Sequence, residues 1–387
     1  MRDFVYNIPT KVYFGKDQFS HLGEEVRSFG DKVLLTYGGG SIKRSGLYDR
    51  VMEELRKAGM QVWELSGIEP NPRHTSVQKG ADICKEHDID VILAVGGGSV
   101  IDASKYMAAG RYYDGDVWDF HGKMIPIEKA MPIVTVLTIA ATGSEMDGTG
   151  VITNMDLHIK KGRAHPLLYP KVSFLDPTLT YSVSKYQTAC GAADIFSHTQ
   201  ETYFAREDGM YFLDTVMEGL MRTVIKYSTV ALKEPDNYEA RANLMWASSW
   251  GINGFVRADK PFPWSCHPLE HELSAFYDIT HGLGLAILTP RWMRHVLSEK
   301  TLGRFVKYAV NVWGVDESLP EWEIAENGIE CTEKWLYEDL GLTDNLTALG
   351  INEEHLETMA ERVGGKIHKG FVDLSKEDCL AIYKACL

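Results

Sequence analysis

The sequence predicts an α/β N-terminal domain with a mostly parallel sheet, followed by an all-helical C-terminal domain. In the first part of the chain, short apolar runs rich in β-branched residues alternate with segments of helical periodicity, a pattern typical of βαβ units. The sequence Asp176-Pro177-Thr178 ends this alternation, and long helical segments follow it. We therefore predict one domain over residues 1–178 and a second over residues 179–387.

Five segments have the composition and length of strands. One of them is apolar throughout, as expected of a strand that is buried on both faces. The predicted strands are Lys32–Tyr37, Gln61–Leu65, the apolar Val91–Val95, Ile133–Leu137 and Lys171–Leu175. The predicted helices include Gly46–Ala58, Thr75–His87, Ser184–Ala205, Gly209–Leu232 and Tyr238–Asn253.

Composition narrows the classes of function. With 44% hydrophobic and 24% charged residues, the chain of 387 residues has the make-up of a soluble globular protein. Its formal net charge of −14 argues against nucleic acid or an anionic membrane as a partner. The six cysteines are scattered without a CxxC pair, which is typical of reduced thiols. Because we find neither a leader nor a long apolar run, we expect a cytoplasmic protein.

Two pairs of residues in the second half have the spacing of metal ligands. Asp194 and His198 are four residues apart, so a helix places both on one face. His267 and His281 belong to a largely apolar stretch with three histidines within fifteen residues. Three imidazoles and one carboxylate suit Fe²⁺ or Zn²⁺ rather than Mg²⁺ or Ca²⁺. The alternatives are structural, hydrogen-bonded histidines and a surface ion pair between Asp194 and His198.

A glycine-rich turn, Gly96-Gly97-Gly98-Ser99, follows the strand that ends at Val95 and precedes a helix predicted to begin near Ile101. Glycines let a ligand approach the backbone, and a helix N-terminus offers unpaired N–H groups with a positive dipole end. The turn therefore predicts a diphosphate cradle. Alternatively, the glycines only shape a tight turn and Ser99 with Asp102 forms a capping box. The two interpretations are compatible.

Two further loops follow predicted strands. Gly38-Gly39-Gly40-Ser41 comes after the strand that ends at Tyr37, and because we expect its helix to start later, we place this turn, with Gly39, Gly40 and Ser41, at the adenosine ribose. The hydroxyl-rich loop Thr138–Glu145 follows the strand Ile133–Leu137. Hydroxyls at the carboxyl ends of strands commonly face the ligand in α/β folds, although a solvated connection is an equal alternative. The Rossmann fingerprint GxGxxG and the Walker P-loop are both absent from these turns.

Four motifs together resemble the iron-dependent (group III) alcohol dehydrogenases. They are Gly96–Asp102, Thr138–Glu145, Asp194-x3-His198 and the block from His267 to His281. The likeness extends over essentially the whole chain, and within the family it is greatest to the branch of butanol dehydrogenases and broad-range aldehyde reductases. The resemblance implies a dehydroquinate-synthase-like fold with a dinucleotide-binding first domain, a metal-binding catalytic second domain, an active site in the cleft between them, and a homodimer.

The resemblance also implies roles for individual residues. The implied metal ligands are Asp194, His198, His267 and His281. The implied contacts to the pyrophosphate and the nicotinamide-side ribose are Gly97, Gly98, Ser99 and Asp102; those beside the nicotinamide are Thr138, Thr142 and Ser144; and Lys160 reaches the adenosine ribose. His271 matches a histidine of the cleft that is not a ligand. Asp147 departs from the pattern, because we expect a neutral residue there.

We therefore expect a metal-dependent alcohol dehydrogenase or aldehyde reductase that transfers hydride between NAD(P)H and small to medium aliphatic aldehydes such as butanal. His271 is a candidate proton relay, with a structural role as the alternative. We expect NADPH to be preferred, with NADH possible, because the turn Gly38–Ser41 has no carboxylate to repel a 2′-phosphate. Lys160 and Lys43 can supply positive charge to that phosphate.

Two other classes of function remain open at this point. One is an NAD- and metal-dependent lyase of the dehydroquinate synthase type, which needs arginines and lysines facing the metal to hold a phosphorylated, carboxylated substrate. The stretch around Trp264, Phe276 and Tyr277 is aromatic instead, which favours small apolar aldehydes. The other is a non-catalytic nucleotide-binding protein, against which a full set of metal ligands argues.

Overall fold

The computed structural model describes residues 3–205, 210–258, 264–367 and 370–387. These residues form two compact units. The sheet unit consists of Asn7–Val183 and Ser248–Asn253, and the helical unit consists of Met1–Tyr6, Ser184–Ala247 and Gly254–Leu387. The change from one unit to the other between Val183 and Ser184 comes shortly after the predicted boundary at residue 178. The functional division into a nucleotide-binding and a metal-binding domain stays a prediction.

The sheet unit is built on a six-stranded sheet in which every neighbouring pair is parallel, in the order β1-β8-β5-β4-β2-β3. Its strands are β1 (Lys11–Phe14), β2 (Lys32–Tyr37), β3 (Gln61–Leu65), β4 (Val91–Gly96), β5 (Ile133–Leu137) and β8 (Val172–Leu175). A separate antiparallel hairpin consists of β6 (Thr149–Asn154) and β7 (Ile159–Ala164). The predicted parallel sheet is confirmed.

Three strands were missed by the sequence analysis for recognisable reasons. β1 is a four-residue edge strand with no fully buried position. β7 has the sequence Ile-Lys-Lys-Gly-Arg-Ala, whose charges and glycine hide any apolar alternation. β6 is hydrogen-bonded to β7 in a hairpin, so a sequence analysis that does not recognise β7 as a strand has no partner strand for β6.

Helices cover both faces of the parallel sheet. They are α1 (Leu22–Arg27), α2 (Ser41–Arg44), α3 (Leu47–Lys57), α4 (His74–Glu86), α5 (Gly98–Gly110) and α6 (Asp119–Gly122). On one face, α1 and α3 pack their buried leucines and valines against those of β2 and β4. On the other face, Thr36 Oγ1 of β2 lies 2.8 Å from Ser104 Oγ of α5. Burial on both faces explains why β4 is apolar throughout.

The helical unit contains no strand among its described residues. Its helices are α7 (Lys185–Tyr203), α8 (Tyr211–Lys233), α9 (Tyr238–Ile252), α10 (Cys266–Tyr277), α11 (His281–Val296), α12 (Leu302–Tyr308), α13 (Glu321–Lys334), α14 (Leu356–Val363) and α15 (Lys376–Ala385). The predicted helices agree to within two residues at their described ends, and Gly209, the predicted start of α8, lies outside the described residues. The last residues of α9 are grouped with the sheet unit.

Close packing in the helical unit positions the candidate metal ligands. The start of α11 lies against the middle of α7, where a Cβ added to Gly282 would come within 2.0 Å of the backbone oxygen of Cys190. Only glycine permits this approach, which brings the N-terminal end of α11 next to Asp194 one turn further along α7. Where the helices are described, none has both the length and the apolar character that a membrane span requires.

Candidate metal centre and cofactor-binding edge

The four candidate metal ligands converge in the helical unit, although they come from three helices. Asp194 and His198 lie one turn apart in α7, His267 lies in the first turn of α10, and His281 is the first residue of α11. The Oδ1 atom of Asp194 is 3.4 Å from Nε2 of His198, 3.9 Å from Nε2 of His267 and 3.7 Å from Nε2 of His281. The structure thus brings together all four residues that the sequence proposes as ligands.

Asp194, His267 and His281 each offer a ligand atom within 4.8 Å of the other two, as the ligands of a single ion do, and His198 lies close to Asp194. Ligand atoms ~2.1 Å from a tetrahedral centre lie ~3.4 Å from one another. The separations of 3.7 and 3.9 Å are too long for direct hydrogen bonds. Asp194 and His198 are only 3% exposed, so the alternative of an ion pair on a helix surface is wrong.

Two of the candidate histidines have features that suit a metal ligand. Nε2 of His267 is buried and has no hydrogen-bond partner within the described part of the chain. Burial, and then the neighbouring His267 and His281, lower the pKa of His198 well below its ordinary value, which keeps its imidazole neutral. A neutral imidazole offers a nitrogen lone pair to a metal. With three nitrogens and one carboxylate oxygen, the donor set fits Fe²⁺ or Zn²⁺.

Two buried glutamates contact the candidate ligands and were missed by the sequence analysis. Glu201 on α7 accepts a hydrogen bond from Nδ1 of His267, and Glu270 on α10 accepts one from Nδ1 of His281. The signal that could have found them is a repeated spacing, because each glutamate stands three residues after a candidate ligand, in His198-Thr-Gln-Glu201 and His267-Pro-Leu-Glu270.

The remaining predicted residues of the helical unit divide into two groups. The rings of His271 and Trp264 lie beside the ligands: the His271 centroid is 5.7 Å from that of His281, and the Trp264 centroid is 4.3 Å from that of His267. Phe276 and Tyr277 instead pack against the ring of His355, at 5.0 and 5.8 Å. Of the predicted aromatic surroundings, Trp264 is therefore the residue that contacts the ligand set.

In the sheet unit, the three loops with ligand-binding character follow neighbouring strands. β4 lies between β2 and β5, and the final residues of these strands are paired, Tyr37 with Val95 and Gly96 with Leu137. The three loops therefore start at one edge of the sheet. The order of strands reverses between β2 and β4, and α/β sheets bind ligands outside the carboxyl ends of their strands at such a switch point.

The glycines after β4 make room for protein as well as for a ligand. A Cβ added to Gly97 would lie 2.5 Å from a side-chain carbon of Ile139, and one added to Gly98 would lie 2.2 Å from Oγ1 of Thr142. The loop Thr138–Glu145 therefore rests on the N-terminal end of α5. That helix begins at Gly98, three residues before the predicted start near Ile101, with Gly97 as its N-cap and no side-chain capping bond. The proposed capping box of Ser99 and Asp102 is wrong, because Ser99 lies inside the helix.

The turn after β2 is more open. A Cβ added to Gly39 would have no atom within 4 Å, and Gly40 has φ of 91°, a conformation that favours glycine. The helix α2 begins directly at Ser41, so the expectation that a helix starts later was wrong. Lys43 is exposed, and its ammonium lies 5.2 and 4.5 Å from the ring centroids of Tyr37 and Tyr48.

A buried ammonium explains the unexpected Asp147. Lys105 is fully buried on α5 and donates hydrogen bonds to Asp147 Oδ1 at 2.7 Å, to Ser144 Oγ at 2.8 Å and to the backbone oxygen of Thr149 at 2.6 Å. All three donors of the ammonium are satisfied. The negative charge of Asp147 is therefore balanced by Lys105 inside the protein. The sequence analysis did not identify Lys105.

Asp102 belongs to the same buried cluster. Its carboxylate accepts hydrogen bonds from Ser144 Oγ at 2.5 Å and from the backbone N–H of Val151 at 3.0 Å. Burial raises the pKa of Asp102 to about 6. Asp102 and Ser144 are thus hydrogen-bonded to each other. Their contact with a cofactor stays a proposal. Lys160 is placed on the hairpin, where β7 pairs it with Thr153.

Comparisons with known proteins show the family to which the chain belongs. Residues 9–177 match the family model of the iron-containing alcohol dehydrogenases, and residues 188–387 match the model of the C-terminal region of the same family. The chain is 50% identical over 388 residues to the NADH-dependent butanol dehydrogenase A of Clostridium acetobutylicum, covering 99% of both chains. It is 34% identical to the NADPH-dependent aldehyde reductase YqhD of Escherichia coli, covering 94% of this chain and 93% of that protein.

The fold has close counterparts among solved structures. A crystal structure of an NADH-dependent butanol dehydrogenase A from Thermotoga maritima matches with a TM-score of 0.94 and 39% sequence identity. The match covers 100% of this chain and 99% of the other. The parallel sheet and the helical region described above therefore belong to a known fold, which confirms the predicted fold class.

Proposed function

The chain belongs to the iron-containing alcohol dehydrogenase family, and from that premise we propose that it interconverts small to medium aliphatic aldehydes, such as butanal, with their alcohols. It is an oxidoreductase that acts on CH–OH groups with a nicotinamide cofactor and a metal ion. The proposed metal ligands are Asp194, His198, His267 and His281. The observation that supports them is the approach of three histidine Nε2 atoms to one carboxylate oxygen.

The residues of the centre prepare it for carbonyl chemistry. When bound, the divalent ion supplies a Lewis acid for the carbonyl oxygen, and the reduced nicotinamide supplies the hydride. Asp194 contributes one negative charge and the three imidazoles none, so a divalent ion with these four ligands keeps one positive charge; Glu201 and Glu270 bind the far nitrogens of two imidazoles and lie outside this set. The side chain of His281 is 21% exposed, whereas that of Asp194 is 4% exposed. We infer that substrate reaches the site from the side of His281.

We propose that His271 relays a proton on that same side. It is half-buried, lies one turn after His267 and is near His281. His271, His281 and Glu270 also lie close enough to hold an ion themselves. We favour the set centred on Asp194, because Glu270 already binds Nδ1 of His281 and the hydroxyl of Ser274. His271 lies outside the set centred on Asp194, and an imidazole is the side chain that most often transfers protons in catalysis.

The aromatic ring of Trp264 supports the proposed class of substrate. It packs on the rings of His267 and His198, with centroids 4.3 and 5.3 Å apart. An apolar wall beside the ligands favours an aliphatic aldehyde over a charged substrate. This argues against the lyase alternative, which has to hold phosphate and carboxylate groups. The 50% identity to a butanol dehydrogenase supports the same choice.

The cofactor is proposed to bind at the carboxyl edge of the sheet. The proposed contacts are Gly39, Gly40, Ser41, Gly97, Gly98, Ser99, Asp102, Thr138, Thr142, Ser144 and Lys160. For the choice of cofactor, the names of two of the proteins compared above contain NADH and one contains NADPH. The proposed preference for NADPH therefore depends on the turn Gly38–Ser41, which has no carboxylate, and on the open space at Gly39.

We also propose that the enzyme is a cytoplasmic homodimer. Phe212 and Tyr211 of the helical unit are 65% and 86% exposed and lie beside Phe4, and an aromatic surface of this kind is typical of contacts between subunits. All six cysteines are free, which suits a reducing compartment. Sedimentation analysis of the purified protein tests the dimer.

The experiment that tests the proposed function is a steady-state assay of the purified protein with butanal, run in parallel with NADH and NADPH, while bound metal is quantified. We expect saturable oxidation of the reduced cofactor, with activity proportional to metal content. A metal-loaded protein that binds the cofactor but does not turn over butanal or its homologues would contradict the proposal.

A further inference from the structure

The candidate metal centre contains a repeated arrangement of histidine and glutamate. One turn after His198, Glu201 reaches across from α7 to the histidine of α10, which is His267. One turn after His267, Glu270 reaches across from α10 to the histidine of α11, which is His281. Each glutamate thus follows one ligand in sequence and accepts a hydrogen bond from the ligand of the next helix that carries one.

Glu201 accepts hydrogen bonds on both of its carboxylate oxygens. One carboxylate oxygen accepts from Nδ1 of His267 and from the hydroxyl of Ser197, the latter at 3.2 Å. The other oxygen accepts from the backbone N–H groups of Ser265 and Cys266, at 2.6 and 2.7 Å. Because these two residues begin α10, Glu201 fixes both the ring of His267 and the end of the helix that presents it.

Glu270 also accepts hydrogen bonds on both of its oxygens. One oxygen accepts from Nδ1 of His281, and the other accepts from the hydroxyl of Ser274, one turn further along α10. Glu270 is fully buried, and Gly284 of α11 packs against it, since a Cβ at that position would lie 2.7 Å from Cγ of Glu270. The packing leaves the carboxylate little freedom to turn away from His281.

His198 has no such partner. Its Nδ1 is buried without a hydrogen-bond acceptor among the residues that the structure describes. It shares α7 with Asp194, so the helix itself sets the distance between these two ligands. The two histidines that donate to a glutamate, His267 and His281, lie on α10 and α11 and not on α7. The contacts are therefore found where the backbone of α7 cannot position the ligand.

We propose that Glu201 and Glu270 are positioning residues that determine the affinity of the centre for its metal. A carboxylate that accepts from Nδ1 places the proton there, so Nε2 presents its lone pair to the ion. The carboxylate also fixes the plane of the ring and makes Nε2 a stronger electron-pair donor to the metal. This inference depends on the ligand set proposed above.

The two glutamates should respond differently to replacement by glutamine. A glutamine at position 270 can accept from His281 with its oxygen and donate to Ser274 with its amide, so the geometry is kept and only the negative charge is lost. A glutamine at position 201 cannot accept on both sides, because its amide group would face either His267 or two backbone N–H groups. Glu201→Gln therefore loses positioning as well as charge.

The test is the dissociation constant for Zn²⁺, measured by competition with a chromophoric chelator for the full-length wild type and variants. We expect Glu270→Gln to weaken binding about tenfold and Glu201→Gln to weaken it more, up to about a hundredfold. The d–d absorption of the Co²⁺-loaded proteins should change in the same order. The matched control is Glu218→Gln, because Glu218 is a buried glutamate of the same unit that accepts from Tyr203 and Asn311 and contacts no candidate ligand.

A purely structural role for the glutamates would lower the thermal stability of the metal-free variants but leave the Zn²⁺ dissociation constant and the Co²⁺ spectrum as in wild type, and this result would overturn the proposal. If Glu201→Gln does not fold, Glu270→Gln and Glu270→Ala together decide the question, because the alanine removes the hydrogen bond to His281 as well as the charge. His267→Ala tests the proposed ligand set separately from the positioning role of the two glutamates. If it loses metal while both glutamine variants bind normally, only the positioning role fails. If it binds Zn²⁺ like wild type, the ligand set fails and the positioning role with it.

Discussion

Lys105 Nζ lies 2.7 Å from Asp147 Oδ1 in the interior of the sheet unit, where Lys105 is fully buried and Asp147 is 5% exposed. The same ammonium reaches Ser144, which donates in turn to Asp102. One cation thus stabilises two buried carboxyl groups and joins α5 to the loop that precedes the hairpin. Without it, these carboxyl groups would be buried with no positive charge in this cluster.

Replacing Lys105 with methionine should therefore destabilise the protein strongly. Removing one partner of a buried ion pair typically costs about 3–5 kcal/mol, because the other partner stays desolvated. Urea unfolding of Lys105→Met measures the change. Lys57→Met, which removes an exposed lysine paired with Glu54 on α3, is the control and should unfold near the wild-type midpoint. A midpoint for Lys105→Met equal to that of the control would contradict the assigned role.

Glu145 predicts a specific dependence of stability on pH. Burial raises its pKa to about 7, from an ordinary value of 4.5. The folded protein therefore keeps this proton between about pH 4.5 and 7 while the unfolded chain loses it, so the contribution to stability is present below that range and is lost as the pH rises through it. Glu145→Gln mimics the protonated form. Between pH 5 and 8, its stability relative to wild type should rise by about 2 kcal/mol; a difference that is constant with pH would refute the assignment.

Much of the fold could be predicted because its signals are local. The strands β2, β3 and β5 were predicted with their observed bounds, since apolar β-branched runs between turn residues mark buried parallel strands. The edge strand β1 and the charged strand β7 lack that signal, because they are only partly buried. Their pairing depends on distant residues that a local pattern does not contain.

The candidate ligands could be proposed for a similar reason, and their partners could not. Asp194 and His198 have helical spacing, and donor chemistry made the histidines conspicuous. Glu201 and Glu270 look like ordinary helix residues in the sequence, because their contacts join helices that are far apart along the chain. In the same way, Asp147 appeared unfavourable until the structure showed Lys105 beside it.

Gly39→Asp should shift the choice of cofactor toward NADH. The position has room for a side chain, since a Cβ there would meet no atom within 4 Å. A carboxylate at the end of β2 accepts from a ribose 2′-hydroxyl and repels a 2′-phosphate. The ratio of kcat/KM for NADPH to that for NADH should fall in the variant. If the wild type is already faster with NADH, the interpretation of the turn Gly38–Ser41 is wrong whatever the variant does.

His271→Ala should slow turnover while the protein keeps its metal. The residue lies beside the ligand set, with its ring centroid 6.5 Å from that of His267, and the proposed ligands do not include it. Loss of a proton relay typically costs a factor of about 10²–10⁴ in kcat. Parallel measurements of kcat and metal content separate the roles: metal loss as severe as that of a ligand variant would make His271 a ligand instead.

The most direct measurement of the central claim is the metal content of His267→Ala, determined together with its activity toward butanal. His295→Ala is the matched control, because His295 lies on α11 near the surface and pairs with Asp378. We predict that His267→Ala loses the metal and its turnover while its circular dichroism stays like that of wild type, and that His295→Ala keeps both. Full metal occupancy with near-normal turnover in His267→Ala would contradict the account.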